Sequence, residues 1–367
     1  MERVGIAVFI IVLFLAFFAI DWGVDDIAAE GCSRDVAPPV ADFWAGDGVT
    51  DVTFIAFGDP QCGGGSPDKN QLHVRAINAA ADVLRWMEAP FGFEAAVANI
   101  RGVIIAGDMT HNARDGRPFE VDDYQDFIDC YGLCGNRMLK YPVYEGYGNH
   151  DFYVWNNPLF RLYDAHPPAN AVARRNVYRP GVLNTAPGDD GHYSWDWDNV
   201  HFVQLNLKPS DVPGEAYGDR EKPVPGALDP RNALTFLEQD LAAHVAGTDK
   251  RVVIIAHYGF HENRDFDGWW TPAEAEAFYE VIQGYPVIAY LHGHNHGTQF
   301  YRWRDIPVLD LGSPYYRDYN RDGRGHFTVV RITDDYLYAG DAAWNPDNPE
   351  GDIIFPAGWH VKAALQP

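Results

Sequence analysis

The chain of 367 residues predicts an α/β fold of two packed mixed β-sheets flanked by helices. Two observations carry this. Short runs that are apolar at nearly every position alternate with helical stretches, as buried strands between helices do. In the second half, alternating segments follow one another without helices between them, as in a meander that joins a mixed sheet.

The elements come in a clear order. DVTFIAF from Asp51 precedes a helical pattern over Asn70–Ala89, and RGVIIA from Arg101 precedes one over Phe119–Tyr131. YPVYEGY follows from Tyr141, then RVVIIA from Arg251 with a helix over Thr271–Ile282, then VIAYL from Val287. Tyr193–Asn206 alternates around Asp198-Asn199 and predicts a hairpin with one solvated face. Thr298–Arg304, Pro307–Leu311, Phe327–Ile332 and Tyr336–Gly340 read as strands. No internal repeat interrupts this order.

Composition agrees, since 47% hydrophobic and 22% charged residues are enough for a large core and argue against global disorder. The formal net charge of −24 repels a phosphate backbone, so nucleic acid is not expected as a partner.

Residues 1–30 read as a signal peptide or membrane anchor, because Val4–Ile20 is apolar and uncharged. Its length is at the lower edge of a spanning helix and long for a secretory core, so both readings stand. Arg3 before the run and Asp21, Asp25 and Asp26 after it place the rest outside the cytoplasm, secreted, periplasmic or anchored. Membrane contact is expected only through this segment. Residues 31–49 are rich in Pro, Gly and Asp and read as a linker, leaving 50–367 as one α/β domain. Cys32, Cys62, Cys130 and Cys134 could pair in three ways, Cys130 with Cys134 as a tight bridge among them, or remain free. The sequence does not indicate the oligomeric state.

Five of the apolar runs lead directly into residues of metal-binding type. They end in Gly58-Asp59-Pro60-Gln61, Gly107-Asp108, Gly148-Asn149-His150-Asp151, His257 and His292-Gly293-His294-Asn295-His296. Loops beyond the carboxyl ends of strands are where α/β folds place their sites. In four of the five, a glycine is expected to let the backbone turn sharply before the ligand. Singly these motifs say little: most Gly-Asp pairs cap a turn or helix, and a lone strand histidine is usually a hydrogen-bonded core residue.

The ordered set resembles the calcineurin-like metallophosphoesterase family, over residues 53–296, and at Asp-Pro-Gln a subgroup of it. The resemblance implies a four-layer sandwich and hydrolysis of a phosphoester by a hydroxide bridging two metal ions, divalent or mixed-valence Mn, Fe or Zn. Asp59, Gln61 and His296 would hold the first ion; Asn149, His257 and His294 would hold the second; Asp108 would bridge them. His150 would be catalytic at the leaving oxygen, with Asp151 accepting its other ring proton. Such ions would supply the local positive centre that an acidic chain needs for an anionic substrate.

Gln61 stands where the family usually has histidine, which weakens the expected first site. His111 stands where purple acid phosphatases have a tyrosine ligand, so no purple ferric centre is expected. Tyr258, Phe260 and His111 are candidates to face substrate, whereas His292, His73 and Trp270 read as core. Lys208, Arg317 and Arg321 could reach a phosphate. The resemblance favours a phosphomonoesterase, with a phosphodiesterase on nucleotide or lipid-derived diesters as the alternative. A non-catalytic binding protein on the same scaffold is a further reading. The HxHxDH pattern of metallo-β-lactamases is absent.

Overall fold

The computed structural model describes residues 49–64, 68–86, 95–113, 122–152, 167–213, 229–260, 270–315, 322–356 and 360–365. Val4–Ile20, Cys32, Arg317 and Arg321 lie outside them. Among the described residues, no helix is long and apolar enough to cross a membrane.

Two seven-stranded mixed sheets form the centre of the molecule, as predicted. The first holds β1 (Asp51–Phe57), β2 (Ile100–Ile105) and β3 (Val143–Glu145), all parallel. Antiparallel to β1 runs β11 (Gly325–Thr333), followed by β12 (Tyr336–Trp344), which pairs with both β13 (Ile353–Ile354) and β14 (His360–Ala364). The second sheet starts with β4 (Val182–Thr185), β5 (Tyr193–Trp197) and β6 (Val200–Gln204). From β6 it continues in parallel through β7 (Arg251–Ile255), β8 (Val287–His292) and β10 (Ile306–Asp310), with β9 (Gln299–Trp303) antiparallel at the edge.

The apolar runs are continuous because both of their faces are buried. On β7, Val253 and Ile255 join the core between the sheets, while Val252 and Ile254 join a second core under α4 (Ala233–His244) and α5 (Pro272–Ile282). The inter-sheet core is aromatic: Phe54 lies 5.8 Å from Trp197 and 5.5 Å from Phe202, and Tyr144 stacks on Trp195 at 4.4 Å. On the other side of the first sheet, α1 (Lys69–Val83) buries Val74, Ile77 and Ala80, and α2 (Asp123–Cys130) buries Phe127. This makes four layers. A fifth helix, α3 (Pro167–Asn176), follows β3.

Local chemistry sets the element ends. Helix α5 starts at Thr271 because its side chain accepts from the Glu274 N–H while Glu274 reaches back to the Thr271 N–H, with Pro272 in the first turn. Helix α1 stops at Val83, short of the predicted Ala89, because Leu84 turns extended and Trp86 N–H bonds the Ala95 carbonyl.

The hairpin β5–β6 turns at Asp198 as predicted, but neither face is solvated. Its polar side packs against α4 and satisfies itself there. His201 bridges Asp196 and Asp240, each at 2.7 Å, Ser194 donates to Asp240 at 2.7 Å, and Lys250 pairs with Asp196 at 2.6 Å. Alternating polarity therefore reports a buried polar network here, not water. Cys62 and Cys130 are free thiols, so the tight Cys130–Cys134 bridge is not made. Cys134 is disulfide-bonded.

Candidate metal centre

The strands β1, β2, β3, β7 and β8 all end at one edge of the sandwich, and their loops bring the predicted residues together. Five of them lie in left-handed backbone: Asp59 (φ 57°), Gln61 (φ 40°), Asp108 (φ 55°), His294 (φ 76°) and His296 (φ 59°). Non-glycine residues seldom adopt this conformation, and such strain concentrates at functional sites. The sharp turn thus falls largely on the ligand-type residues themselves. Of the four glycines before them only Gly107 has positive φ, at 90°. Gly148 serves close approach instead, since a Cβ there would sit 2.3 Å from Asp108 Oδ1.

At one side of the centre, His257 Nδ1 donates to the Ala106 carbonyl at 2.9 Å, which leaves Nε2 with its lone pair. That lone pair faces Asn149 Oδ1 at 2.9 Å and Asp108 Oδ1 at 3.3 Å. Three acceptor atoms therefore converge with no proton between them, an arrangement that repels itself unless a cation sits among them. The half-buried ring of His294 stands 5.1 Å from that of His257. Tyr258 packs edge-on against His294 at 4.8 Å and holds it in place.

At the other side, Asp59, Asp108 and His296 each bring a ligand atom within 4.8 Å of the others, all buried. Both Asp59 oxygens accept the His294 N–H, at 3.1 and 2.9 Å. Burial pushes the Asp59 carboxyl well up, and the charges of Asp108 and Asp310 push it further. Burial also acts to raise Asp108, but the histidines His257, His150 and His294 and the His150 N–H outweigh it and hold it at about 2. Burial keeps His257, His294 and His296 below the usual imidazole range, so these rings are neutral and able to ligate. The donor set, two carboxylates, one amide oxygen and three neutral imidazoles, fits two borderline or hard divalent cations that share Asp108.

Gln61 enters this cluster in an unexpected way. Its amide nitrogen, not its oxygen, faces Asp108 Oδ2 at 3.1 Å and His296 Nε2 at 3.2 Å. Its oxygen accepts from the Tyr315 hydroxyl at 2.6 Å and lies 3.4 Å from His111 Nδ1.

His150 is half-buried beside Asp108, to which its N–H donates at 2.8 Å. Its ring Nδ1 donates to the His111 carbonyl at 2.8 Å, and the two imidazoles stack at 5.4 Å. Asp151 does not take the place expected of it. Its carboxylate accepts from the N–H groups of Met109, Thr110 and Gly148 and from the Thr110 hydroxyl, at 2.8–3.2 Å, and not from the His150 ring. Burial and the Asp108 charge push it up to about 8, against the N–H groups of Gly148 and Thr110. Asp151 thus ties the β2 loop to the β3 loop. Asp151→Ala is expected to lower stability by at least about 3 kcal/mol, since several buried donors lose their acceptor at roughly 1–3 kcal/mol each. Urea unfolding measures this, and an unchanged midpoint would show that the bonds are dispensable.

Other expectations need correction. Phe260 does not line a pocket: it is buried and stacks on Trp303 at 4.0 Å and on Trp270 at 4.6 Å, in the core beneath α5. Tyr258 is buried too and supports His294 from behind. Lys208 Nζ is held by Glu274 at 2.6 Å, which explains its burial without a phosphate. His292 and His73 are core residues, bound to the Tyr301 hydroxyl at 3.0 Å and to Trp344 Nε1 at 2.9 Å. Tyr315 escaped sequence reasoning, because a tyrosine beyond a strand carries no spacing signal, and so did buried Lys69, whose Nζ sits 3.6 Å over the Tyr315 ring.

The fold and the converging acceptors define a class: an α/β sandwich whose strand ends are built to bind metal. The family model for calcineurin-like phosphoesterase matches residues 52–298. The chain belongs to this family of metal-dependent phosphoester hydrolases. None of the curated proteins compared matches it by sequence. Among solved structures, a dimetal phosphatase from Danio rerio is similar at a TM-score of 0.53 and 14% identity, covering 86% of this chain and 99% of that one. PhoD is similar at 0.54 and 12%, covering 87% and 70%. GAP50, the anchor in the inner membrane complex of Plasmodium, is similar at 0.52 and 10%, covering 87% and 90%. At such identities the likeness is one of fold.

Proposed function

We propose that this chain is an exported phosphomonoesterase with a two-cation centre. The observation that carries the reading is the convergence of His257 Nε2, Asn149 Oδ1 and Asp108 Oδ1, three acceptors held together without a proton. In this reading Asp108, Asn149, His257 and His294 hold one cation, and Asp59, Asp108 and His296 hold the other, with Gln61 beside it. Bound cations supply Lewis acidity and an activated water for in-line attack on phosphorus.

The protein's own residues do the rest. His150, anchored through Nδ1 to the His111 carbonyl, presents Nε2 to the leaving oxygen and, as the imidazolium, gives it a proton. His111, stacked on it, faces substrate from the same side. Asp151 fixes the two loops that carry Asp108 and Asn149. The Asp59-Pro60-Gln61 motif and the dimetal phosphatase of like fold support a monoester substrate. The apolar run Val4–Ile20 and the disulfide at Cys134 support export to an oxidising compartment, free or membrane-anchored.

The test is turnover of p-nitrophenyl phosphate against bis(p-nitrophenyl) phosphate by protein reconstituted with Mn²⁺. Faster monoester turnover is expected. Preference for the diester would move the assignment to a phosphodiesterase, and inactivity on both would favour a binding protein.

A further inference from the structure

Tyr315, which follows β10, touches two residues of the first metal position, Gln61 and His296, and a buried lysine beside them. Its hydroxyl donates to Gln61 Oε1 at 2.6 Å, its ring stacks on His296 at 4.8 Å, and Lys69 Nζ lies 3.6 Å over that ring. The same Lys69 donates to the Gln61 carbonyl at 3.2 Å. Tyr315 is buried, so its hydroxyl does not reorient freely in water.

With Oε1 held outward, the amide turns its two N–H bonds inward. One points at Asp108 Oδ2 and the other at His296 Nε2, at 3.1 and 3.2 Å. These are the lone pairs that a first cation would take. An amide nitrogen has no lone pair to offer a cation, so in this orientation Gln61 competes with the ion instead of binding it. If the amide turns over, Oε1 faces the cation and Nε2 faces the Tyr315 hydroxyl, which can accept as well as donate.

We propose that Tyr315 is a positioning residue that sets occupancy of the first metal position by choosing which end of the Gln61 amide faces Asp108 and His296. The proposal rests on the two-cation reading above. It makes the centre unequal: the ion at Asn149, His257 and His294 binds first and tightly, and the ion at Asp59 and His296 binds later, because turning the amide takes Oε1 away from the buried Tyr315 O–H.

The test is calorimetric titration of the chelator-stripped full chain with Mn²⁺, with bound ions counted by electron paramagnetic resonance. The wild-type protein should bind one Mn²⁺ tightly and a second at least about tenfold more weakly. Gln61→Glu keeps an acceptor for Tyr315 and puts an anionic oxygen in place of the N–H groups, so the weak site should tighten by about tenfold or more. Tyr315→Phe removes a hydrogen bond worth about 0.5–1.5 kcal/mol and should tighten that site roughly 2–10-fold. The tight site should be unchanged in both variants, which also reports correct folding.

Two equal affinities in the wild-type protein, an unmoved weak site in Gln61→Glu, or a weakened one in Tyr315→Phe would overturn the proposal while leaving the phosphoesterase reading intact. Absence of any Mn²⁺ binding together with absence of turnover would instead remove the two-cation reading beneath it.

Discussion

Asp108→Asn is expected to lower turnover by roughly 10²–10⁴-fold and to empty one metal position or both. The substitution keeps size and shape, and one oxygen still accepts the His150 N–H, which Asp108 Oδ1 binds at 2.8 Å. It removes the charge. Asp108 is the residue that faces both halves of the centre, with Oδ1 3.3 Å from His257 Nε2 and Oδ2 3.1 Å from Gln61 Nε2. Each cation supplies several kcal/mol of charge stabilisation in the transition state, and 1.36 kcal/mol is tenfold in rate. Metal analysis alongside steady-state kinetics measures both effects. A variant that keeps two ions and near-normal turnover would show that Asp108 is not the bridge.

His150→Ala is expected to reduce turnover by roughly 10²–10⁴-fold while leaving metal content unchanged. The side chain donates to the His111 carbonyl, stacks on the His111 ring and acts on Asp108 electrostatically, whereas the hydrogen bond to Asp108 comes from its backbone N–H, which alanine retains. The loss should be smaller for substrates whose leaving group needs no proton, such as p-nitrophenyl phosphate, than for alkyl esters. Equal losses on both would argue that His150 orients phosphate and does not protonate the leaving oxygen. Loss of metal would make its role structural.

Much of the centre was legible because ligand chemistry and strand ends leave a mark on sequence. Gly-Asp, Gly-Asn-His-Asp and His-x-His each follow a run such as Val252–Ile255 that had to be buried on both faces, and the fold places all of them at one edge. What could not be read depends on which way a side chain points after a turn. Asp151 lies next to His150 in sequence, yet the short 3₁₀ turn His150–Phe152 sends its carboxylate back to Thr110 and Gly148. Phe260 follows His257 by three residues and ends on the opposite, helix-covered side against Trp303. The Gln61 amide has the composition of a ligand, and the end it presents depends on partners from distant parts of the chain, Tyr315 and His111 at its oxygen and Asp108 and His296 at its nitrogen. The hairpin Tyr193–Gln204 shows the same limit, since its polar residues find Asp240 rather than solvent.

The central claim, a centre for two cations that share Asp108, is tested most directly by anomalous X-ray diffraction from Mn²⁺-soaked crystals of the purified protein. The account predicts two anomalous peaks about 3.5–4 Å apart. One should lie among Asp108, Asn149, His257 and His294, and the other, weaker, beside Asp59, Asp108 and His296. No peak at either position, or peaks coordinated by other residues, would contradict it.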